Sequence, residues 1–95
     1  MPTIVYLNGN KNSTPTDAVD LAWTASASTG VVQYNIYRSL VTGGPYTFVD
    51  DVPGNAVAYN DYMVLRATTY FYVVTASNGT IESVHSNEAS ATTRS

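Results

Sequence analysis

Apolar and polar residues alternate in short runs along this chain, and clusters of Gly, Pro, Asn and Ser separate the runs. Nowhere do apolar residues recur at positions i, i+3, i+4 and i+7 over two turns of a helix. Alternation with a period of two places one set of side chains on each face of an extended strand. The pattern therefore predicts an all-β protein. Seven strands are predicted, at residues 3–7, 19–24, 32–37, 46–49, 57–61, 69–77 and 88–93.

Three of these strands have a clear apolar face. Those faces consist of Val19, Leu21 and Trp23, of Val32, Tyr34 and Ile36, and of Tyr70, Tyr72, Val74 and Ala76. The register of the fourth strand is open because Phe48 and Val49 are adjacent and both apolar. Before it, Gly43-Gly44-Pro45 predicts a chain reversal, since Gly tolerates positive φ and Pro holds φ at about −65°. Two further turns are predicted at 52–55 and 78–79.

Seven short strands separated by turns favour an immunoglobulin-like β-sandwich of two antiparallel sheets. A closed barrel is the alternative. The length of 95 residues fits one domain spanning 1–95, in which 1–17 form the first strand and a polar loop. Periodicity alone places the first strand, so exchange of this strand with a neighbouring molecule stays open. A monomer is otherwise expected.

Composition excludes several classes of function. A net charge of −3 with only four basic residues argues against binding to nucleic acid, whose affinity depends on Lys and Arg. The absence of cysteine excludes disulfides, thiolate zinc sites and cysteine nucleophiles. No apolar run approaches the ~20 residues that cross a bilayer, and Met1-Pro2 begins no signal peptide. Neither membrane insertion nor a cofactor is expected, and an exported protein would carry this chain as one part of a longer polypeptide.

Five segments of the chain occur in a recognisable order and at a recognisable spacing. They are VDLAWTAS, YNIYRS, GGPYTFV, VLRATTYFYVVTASN and ESVHSNEASATT. Over residues 18–93 they resemble the fibronectin type III domain in its bacterial form. The resemblance implies the seven-stranded topology of that family, but it does not specify a function, because the fold occurs as a spacer, an adhesive surface or an enzyme appendage.

The resemblance also assigns structural roles. It implies that Trp23 lies between the two sheets, in a core whose other members are Tyr34, Ile36, Tyr70, Tyr72 and Val74. Val64 and Tyr70 in VLRATTY resemble a tyrosine corner, in which the Tyr hydroxyl bonds the backbone just upstream. Arg66 and Ala67 stand where the family usually has Pro and Gly. If the corner needs positive φ at Ala67, about 1 kcal/mol of strain is stored there.

Candidate catalytic and metal-binding residues are few. His85 is the only group that titrates near neutrality, and Ser83 and Ser86 flank it. A catalytic site would also need an orienting acid, an oxyanion hole and a cleft, for which a small sandwich has little room. The acids Asp20, Asp50, Asp51 and Asp61 lack the alternating spacing of a calcium loop. We therefore predict no enzyme and no metal site.

A candidate binding face is the better functional signal. Tyr37, Phe71 and Val73 have the parity opposite to the core, so they are expected on the outer face of one sheet, with Tyr46 or Phe48 beside them. Exposed aromatic rings can stack on sugars or anchor a protein partner. The competing interpretation, which we favour, is that these side chains only stabilise the sheet through cross-strand pairs.

The leading hypothesis is a non-catalytic extracellular module, a spacer or protein-interaction domain within a larger bacterial secreted or surface protein. Its partners would be neighbouring domains. The alternatives are a weak carbohydrate- or protein-binding module that uses the aromatic face, and an engineered or excised binding scaffold, for which a cysteine-free chain is suited.

Overall fold

The computed structural model describes residues 3–9, 18–27, 30–65 and 67–93, and the first of these segments by its backbone. Seven strands form within them, and no described segment is helical. The strands are β1 (Thr3–Gly9), β2 (Val19–Thr24), β3 (Gln33–Ser39), β4 (Thr47–Pro53), β5 (Ala58–Asp61), β6 (Thr69–Ser77) and β7 (Ala89–Thr92). Across the described ranges, nothing meets the length and hydropathy that a helix needs to cross a bilayer.

The strands pair into two antiparallel sheets. One sheet has the order β1-β2-β5 and the other the order β4-β3-β6-β7. This confirms the predicted immunoglobulin-like sandwich. The backbone of β1 pairs with β2 from Thr3 opposite Thr24 to Gly9 opposite Val19, with a register shift between Ile4 and Tyr6. The predicted polar loop, except for Asn8 and Gly9 at the end of β1, lies outside the described residues.

The core between the sheets is built from the alternating apolar faces. Its buried members are Val19, Leu21, Trp23, Tyr34, Ile36, Tyr70, Tyr72, Val74, Ala76 and Ala91. The Trp23 and Tyr34 rings lie 5.5 Å apart, and the Ser26 N–H donates to the Tyr34 hydroxyl at 2.9 Å. Such rings bury large apolar areas, so they dominate the stability of a small core. The Trp23 indole N–H has no hydrogen-bond partner within the described part of the chain.

An ion pair that the sequence did not indicate joins the two sheets. Arg38 on β3 and the fully buried Asp61 on β5 are 2.7 Å apart, from Nη1 to Oδ2. The Tyr72 hydroxyl donates to the same carboxylate oxygen at 2.7 Å. Burial, followed by this hydrogen bond, raises the pKa of Tyr72. A buried carboxylate needs such partners because desolvation of an unpaired charge is costly.

The tyrosine corner implied by the resemblance is present. The Leu65 N–H donates to the Tyr70 hydroxyl at 2.8 Å, five residues upstream. Ala67 has a φ of 52°, in the left-handed region that favours glycine. Arg66, which stands where the family usually has Pro, lies outside the described residues.

Strand β4 is longer than predicted. Asp50, Asp51 and the Val52-Pro53 pair belong to the strand rather than to the following turn. β4 pairs only with β3, and an edge strand tolerates charges and a proline that a central strand would not. A register shift opposite Ile36 and Tyr37 leaves Val49 without a direct pairing partner, and Val49 packs against the core.

The strand directions define two ends of the sandwich. β2 begins at Val19, which pairs with Asp61, and ends at Thr24, which pairs with Thr3 of β1. We call the Asp61 end the lower end and the Thr24 end the upper end. Strand β1 therefore starts at the upper end.

The last described residue, Thr93, lies at the lower end. Its N–H donates to the Thr68 carbonyl at 2.9 Å, and its hydroxyl donates to the Leu65 carbonyl at 2.5 Å. Thr3 and Thr93 thus lie at opposite ends of a body that measures 40 × 26 × 18 Å along its principal axes.

Candidate binding face on the four-stranded sheet

The outer face of the four-stranded sheet is formed by alternate residues of its two central strands. Tyr37 on β3 is paired directly with Val73 on β6, and Asn35 is paired with Thr75. Phe71 lies one step further along β6, opposite Ser39. The period-two pattern predicted which of these residues share a face, because parity along a strand determines the direction of each side chain.

A segment that follows β6, residues 82–86, is fastened along the edge of that strand. The Ser83 N–H donates to the Ala76 carbonyl at 2.7 Å, and the Ser86 N–H donates to the Val74 carbonyl at 2.8 Å. The two serine hydroxyls accept in return from the Ala76 and Val74 amides, each at 2.9 Å. The segment is held in this way before β7 begins.

Glu82 extends from this segment over the outer face. Its Oε2 accepts a hydrogen bond from Asn35 Nδ2 at 3.2 Å and others from the hydroxyls of Thr75 and Tyr37. The hydrogen bonds from Thr75 and Tyr37 lower the pKa of Glu82. Burial, followed by the contact with Glu82, raises the pKa of Tyr37. The carboxylate therefore ties β3, β6 and the 82–86 segment together.

Two tyrosine rings contact the His85 imidazole, and a third ring contacts one of them. The imidazole centroid lies 5.8 Å from the Tyr37 ring and 5.4 Å from the Tyr46 ring, which it meets at 90°. Phe48 meets the Tyr37 ring edge-on at 5.8 Å. Edge-to-face and tilted contacts of this kind are the preferred arrangements of aromatic pairs. The rings consequently pack on one another instead of forming a flat platform.

Glu88 fixes Tyr46 and the turn that precedes it. It accepts hydrogen bonds from the Tyr46 hydroxyl, from the Gly43 N–H at 2.7 Å and from the Thr42 hydroxyl at 2.6 Å. The Gly43 hydrogen bond, followed by those from Thr42 and Tyr46, lowers the pKa of Glu88. Gly43 and Gly44 have φ values of 85° and 88°, which agrees with the reversal that the sequence predicted.

The predicted face is less exposed than expected. Tyr37, Tyr46 and Phe71 are half-buried. The structure differs from the prediction at Val73, which is only 2% exposed. Val73 has the predicted outward direction and pairs directly with Tyr37, but its side chain is buried rather than exposed. Phe48 is 53% exposed, more than the half-buried Tyr37, Tyr46 and Phe71 of the same face.

The geometry around His85 is not that of a nucleophilic site. The Ser83 hydroxyl donates to the Val84 carbonyl, and the Ser86 hydroxyl donates to the Asn87 carbonyl, each at 2.9 Å. Neither hydroxyl therefore donates to the imidazole. In the ranges that the structure describes, no three His, Asp or Glu side chains are grouped so that they could hold a metal ion.

Sequence reasoning missed the two glutamates that organise this face. Both precede the last strand among small polar residues, and nothing in their local pattern shows which donors they meet. The donors to Glu82 come from as many as 47 positions away. The available chemistry is an open groove with tilted rings and one carboxylate, lined by Tyr37, Tyr46, Thr75, Glu82, Val84 and His85.

No family model matches the sequence. Over 76 residues the chain is 42% identical to an amylopullulanase of Thermoanaerobacter thermohydrosulfuricus, a match that covers 77% of this chain and 5% of that protein. Over 87 residues it is 32% identical to an amylopullulanase of Thermoanaerobacterium saccharolyticum, with 90% and 6% covered. The chain thus spans a small fraction of the length of these relatives.

Among solved structures, the chain resembles a Fn3-like protein from Clostridium thermocellum. The two are 32% identical and superpose with a TM-score of 0.75, and the match covers 99% of this chain and 92% of that one. The likeness therefore extends over nearly the whole of both molecules.

Proposed function

The chain belongs to the fibronectin type III family, and from this membership we propose that it is a non-catalytic spacer within a larger bacterial extracellular protein. Its relatives are segments of far longer polypeptides. In this role it would separate the domains before and after it without binding a substrate itself.

One observation carries this proposal: the first and last described residues lie at opposite ends of the strands. Thr3 pairs at the upper end with Thr24, and Thr93 bonds at the lower end to Leu65 and Thr68. Domains joined to these two positions would be held apart by about the length of the strands, of which the nine-residue β6 spans roughly 30 Å at about 3.3 Å per residue. A module whose termini lay side by side would not separate its neighbours in this way.

The outer face supports the same interpretation. The Glu82 and Glu88 carboxylates already accept hydrogen bonds from the Tyr37 and Tyr46 hydroxyls. These groups are therefore satisfied within the protein and do not require a ligand to complete their hydrogen bonds. We therefore propose that the aromatic face serves mainly to stabilise the sheet.

A domain exchange in the parent polypeptide tests the spacer role. We expect that an unrelated sandwich of similar length, with its termini at opposite ends, supports the activity of the parent when it replaces this chain. Deletion of the chain should reduce that activity, because the flanking domains lose their separation. If the exchange abolishes activity as completely as the deletion does, the chain contributes more than distance and the spacer proposal is wrong.

A second candidate function is weak binding of α-glucan, favoured by the exposure of Phe48 beside Tyr37 and by the likeness to amylopullulanases. Affinity electrophoresis in gels that contain pullulan or soluble starch provides the measurement. Retardation of the wild-type chain that is lost in Phe48→Ala would support it. Val32→Ala is a matched control, since Val32 is exposed to the same extent as Phe48 and does not line the groove that contains Tyr37. Equal mobility of all three proteins with and without polysaccharide would exclude this function.

A further inference from the structure

The lower end of the sandwich exposes a group of large apolar side chains. Leu40, Pro45, Met63 and Leu65, which we call the end patch, line one open groove. Leu40, Met63 and Leu65 are 64%, 79% and 71% exposed. Single exposed apolar residues are ordinary, but several that converge on one groove mark an interaction surface.

The backbone that carries the two most exposed members is held firmly. The Met63 N–H donates to Asp61 Oδ1 at 3.0 Å, and the Met63 carbonyl accepts from Arg38 Nη1 at 2.9 Å. The Leu65 N–H donates to the Tyr70 hydroxyl, and its carbonyl accepts from the Thr93 hydroxyl. Both polar groups of both residues are therefore paired with the body of the sandwich.

Because their backbone is held by hydrogen bonds, the exposed Met63 and Leu65 side chains differ from those on a loose loop. A loose loop would lose conformational entropy when a partner ordered it, and that loss would weaken binding. Here the segment is already ordered by its contacts with the buried Asp61 and with the tyrosine corner, so docking has little backbone entropy left to lose. The end patch is preorganised for a contact.

The position of the patch indicates what covers it. Thr93 is 2% exposed and bonds directly to Leu65, so a polypeptide that continues past it leaves the sandwich from beside the patch. The matched segments make up only 5% and 6% of the amylopullulanase relatives, so most of those polypeptides lies outside the segment. A domain tethered a few residues from the patch is present there at an effective concentration in the millimolar range, so a small apolar contact suffices to dock it.

We propose that the end patch docks against an apolar surface of the domain that follows in the same polypeptide. This inference rests on the proposed function, to which it adds that the spacer is rigidly coupled at its lower end. The docked contact fixes the direction of the following domain, where a bare linker would leave it free. The aromatic face takes no part in it.

Hydroxyl-radical footprinting of the full-length parent and of the 95-residue chain tests the proposal. Mass spectrometry reports the modification rate of each side chain. We expect the rates at Met63 and Leu65 to be lower in the parent by about fivefold or more, as when at least four-fifths of the molecules are docked. Phe48 on the flank should react equally in both proteins. Equal rates at Met63 in both would overturn the proposal.

A double variant separates docking from other causes of protection. In the parent with Met63→Gln and Leu65→Gln, the protection at Leu40 should disappear, because a polar patch no longer holds the neighbour. Val84→Gln is the matched control and should leave that protection intact. If Leu40 stays protected in the double variant, its protection does not depend on the apolar side chains at positions 63 and 65, and the proposal is wrong.

Two further measurements distinguish the alternatives. Sedimentation of the 95-residue chain should show a monomer; a dimer that the double variant abolishes would make a second copy the occupant and would overturn the proposal. The domain exchange described above tests the spacer role and does not depend on whether the end patch is docked. Failure of footprinting protection leaves the spacer role in place with a flexible junction, whereas failure of the exchange removes the spacer role itself.

Discussion

Arg38 and Asp61 join the two sheets of the sandwich through a 2.7 Å ion pair, in which the carboxylate is fully buried and the guanidinium is partly exposed to solvent. The guanidinium also lies 5.1 Å above the centre of the Tyr70 ring. The pair therefore connects the core, the tyrosine corner and, through Met63, the end patch. Its loss would affect the lower end of the molecule more than any surface contact.

Removal of the Asp61 carboxylate should be strongly destabilising. Asp61→Ala removes the charged partner of Arg38 and the acceptor of the Tyr72 hydroxyl, so we expect the free energy of unfolding to fall by about 3–5 kcal/mol. Asp61→Asn keeps an acceptor of the same shape and should lose less. Urea denaturation of the two variants and the wild type measures the difference. A loss below about 1 kcal/mol for Asp61→Ala would contradict the assigned role.

The Trp23 side chain should be indispensable, although its N–H is not. Trp23→Ala removes a buried ring at a cost of about 3–5 kcal/mol, a large part of the stability of a domain this small. Trp23→Phe keeps a ring in the core and sacrifices no hydrogen bond, so it should remain folded. Circular dichroism and thermal unfolding report both outcomes. In the wild type the indole fluorescence should be that of a buried ring, and a fully hydrated emission maximum would refute this core.

Ala67 is a site at which glycine should stabilise the fold. Its φ of 52° costs an L-residue about 1 kcal/mol, which Ala67→Gly relieves in part, because glycine also has more entropy to lose on folding. We expect a gain of about 0.5 kcal/mol in urea denaturation. The control is Ala58→Gly, which lies within strand β5 and should destabilise instead. The same sign for both substitutions would show that backbone strain at Ala67 is not the cause.

Low pH should reduce the free energy of unfolding through protonation of Glu82, which organises the outer face. Its pKa in the folded protein lies below the ordinary value of 4.5, so its contribution to stability is present above about pH 4.5 and is lost as the pH falls through the lower folded value. Glu82→Gln should therefore flatten the decline of the unfolding free energy with falling pH. Glu88, whose pKa is also lowered, acts in the same direction. Identical pH profiles for wild type and Glu82→Gln would remove Glu82 from the acid response.

High pH should reduce the free energy of unfolding through ionisation of Tyr59. Burial, followed by the nearby Asp50 carboxylate, raises the pKa of Tyr59 to about 12 from its ordinary value of 10.0. The unfolded chain releases this proton first, so the stability is present below about pH 10 and is lost as the pH rises towards 12. Tyr59→Phe should lessen that loss. Unfolding titrations between pH 9 and pH 12, read by circular dichroism, compare the two proteins, and an unchanged profile would exclude Tyr59.

Several features of the fold followed from local pattern. The period-two runs identified the inner faces of β2, β3 and β6, and the residues on those faces are buried, except for Val32. The prediction was wrong at Val32, which lies before β3 begins at Gln33 and is 53% exposed. The resemblance of the segment around Tyr70 to a tyrosine corner implied the corner hydrogen bond, which is present, and Ala67 has the positive φ that was considered for such a corner. Local geometry determines such features, because the alternation of side chains and the conformation of a corner depend on a few consecutive residues.

The organisation of the candidate face did not follow in this way. Parity shows that Val73 points outward, but it does not show that the side chain is buried in the folded sheet, where Val73 pairs with Tyr37 of a strand remote in sequence. The length of β4 depends on its position at a sheet edge, which tolerates Asp50, Asp51 and Pro53. Neither circumstance leaves a trace in the local sequence.

The sequence by itself determined the fold class, the inner faces and the family, since these depend on periodicity and on segments read in order. Only the tertiary structure decided which polar groups meet: Asp61 with Arg38, 23 positions away, and Glu82 with Asn35, 47 positions away. It also decided that the backbone leaves the sandwich beside the exposed Met63 and Leu65. The physical reason is that a side chain's direction is a local property, whereas its partners are chosen by the packing of strands that are remote in sequence.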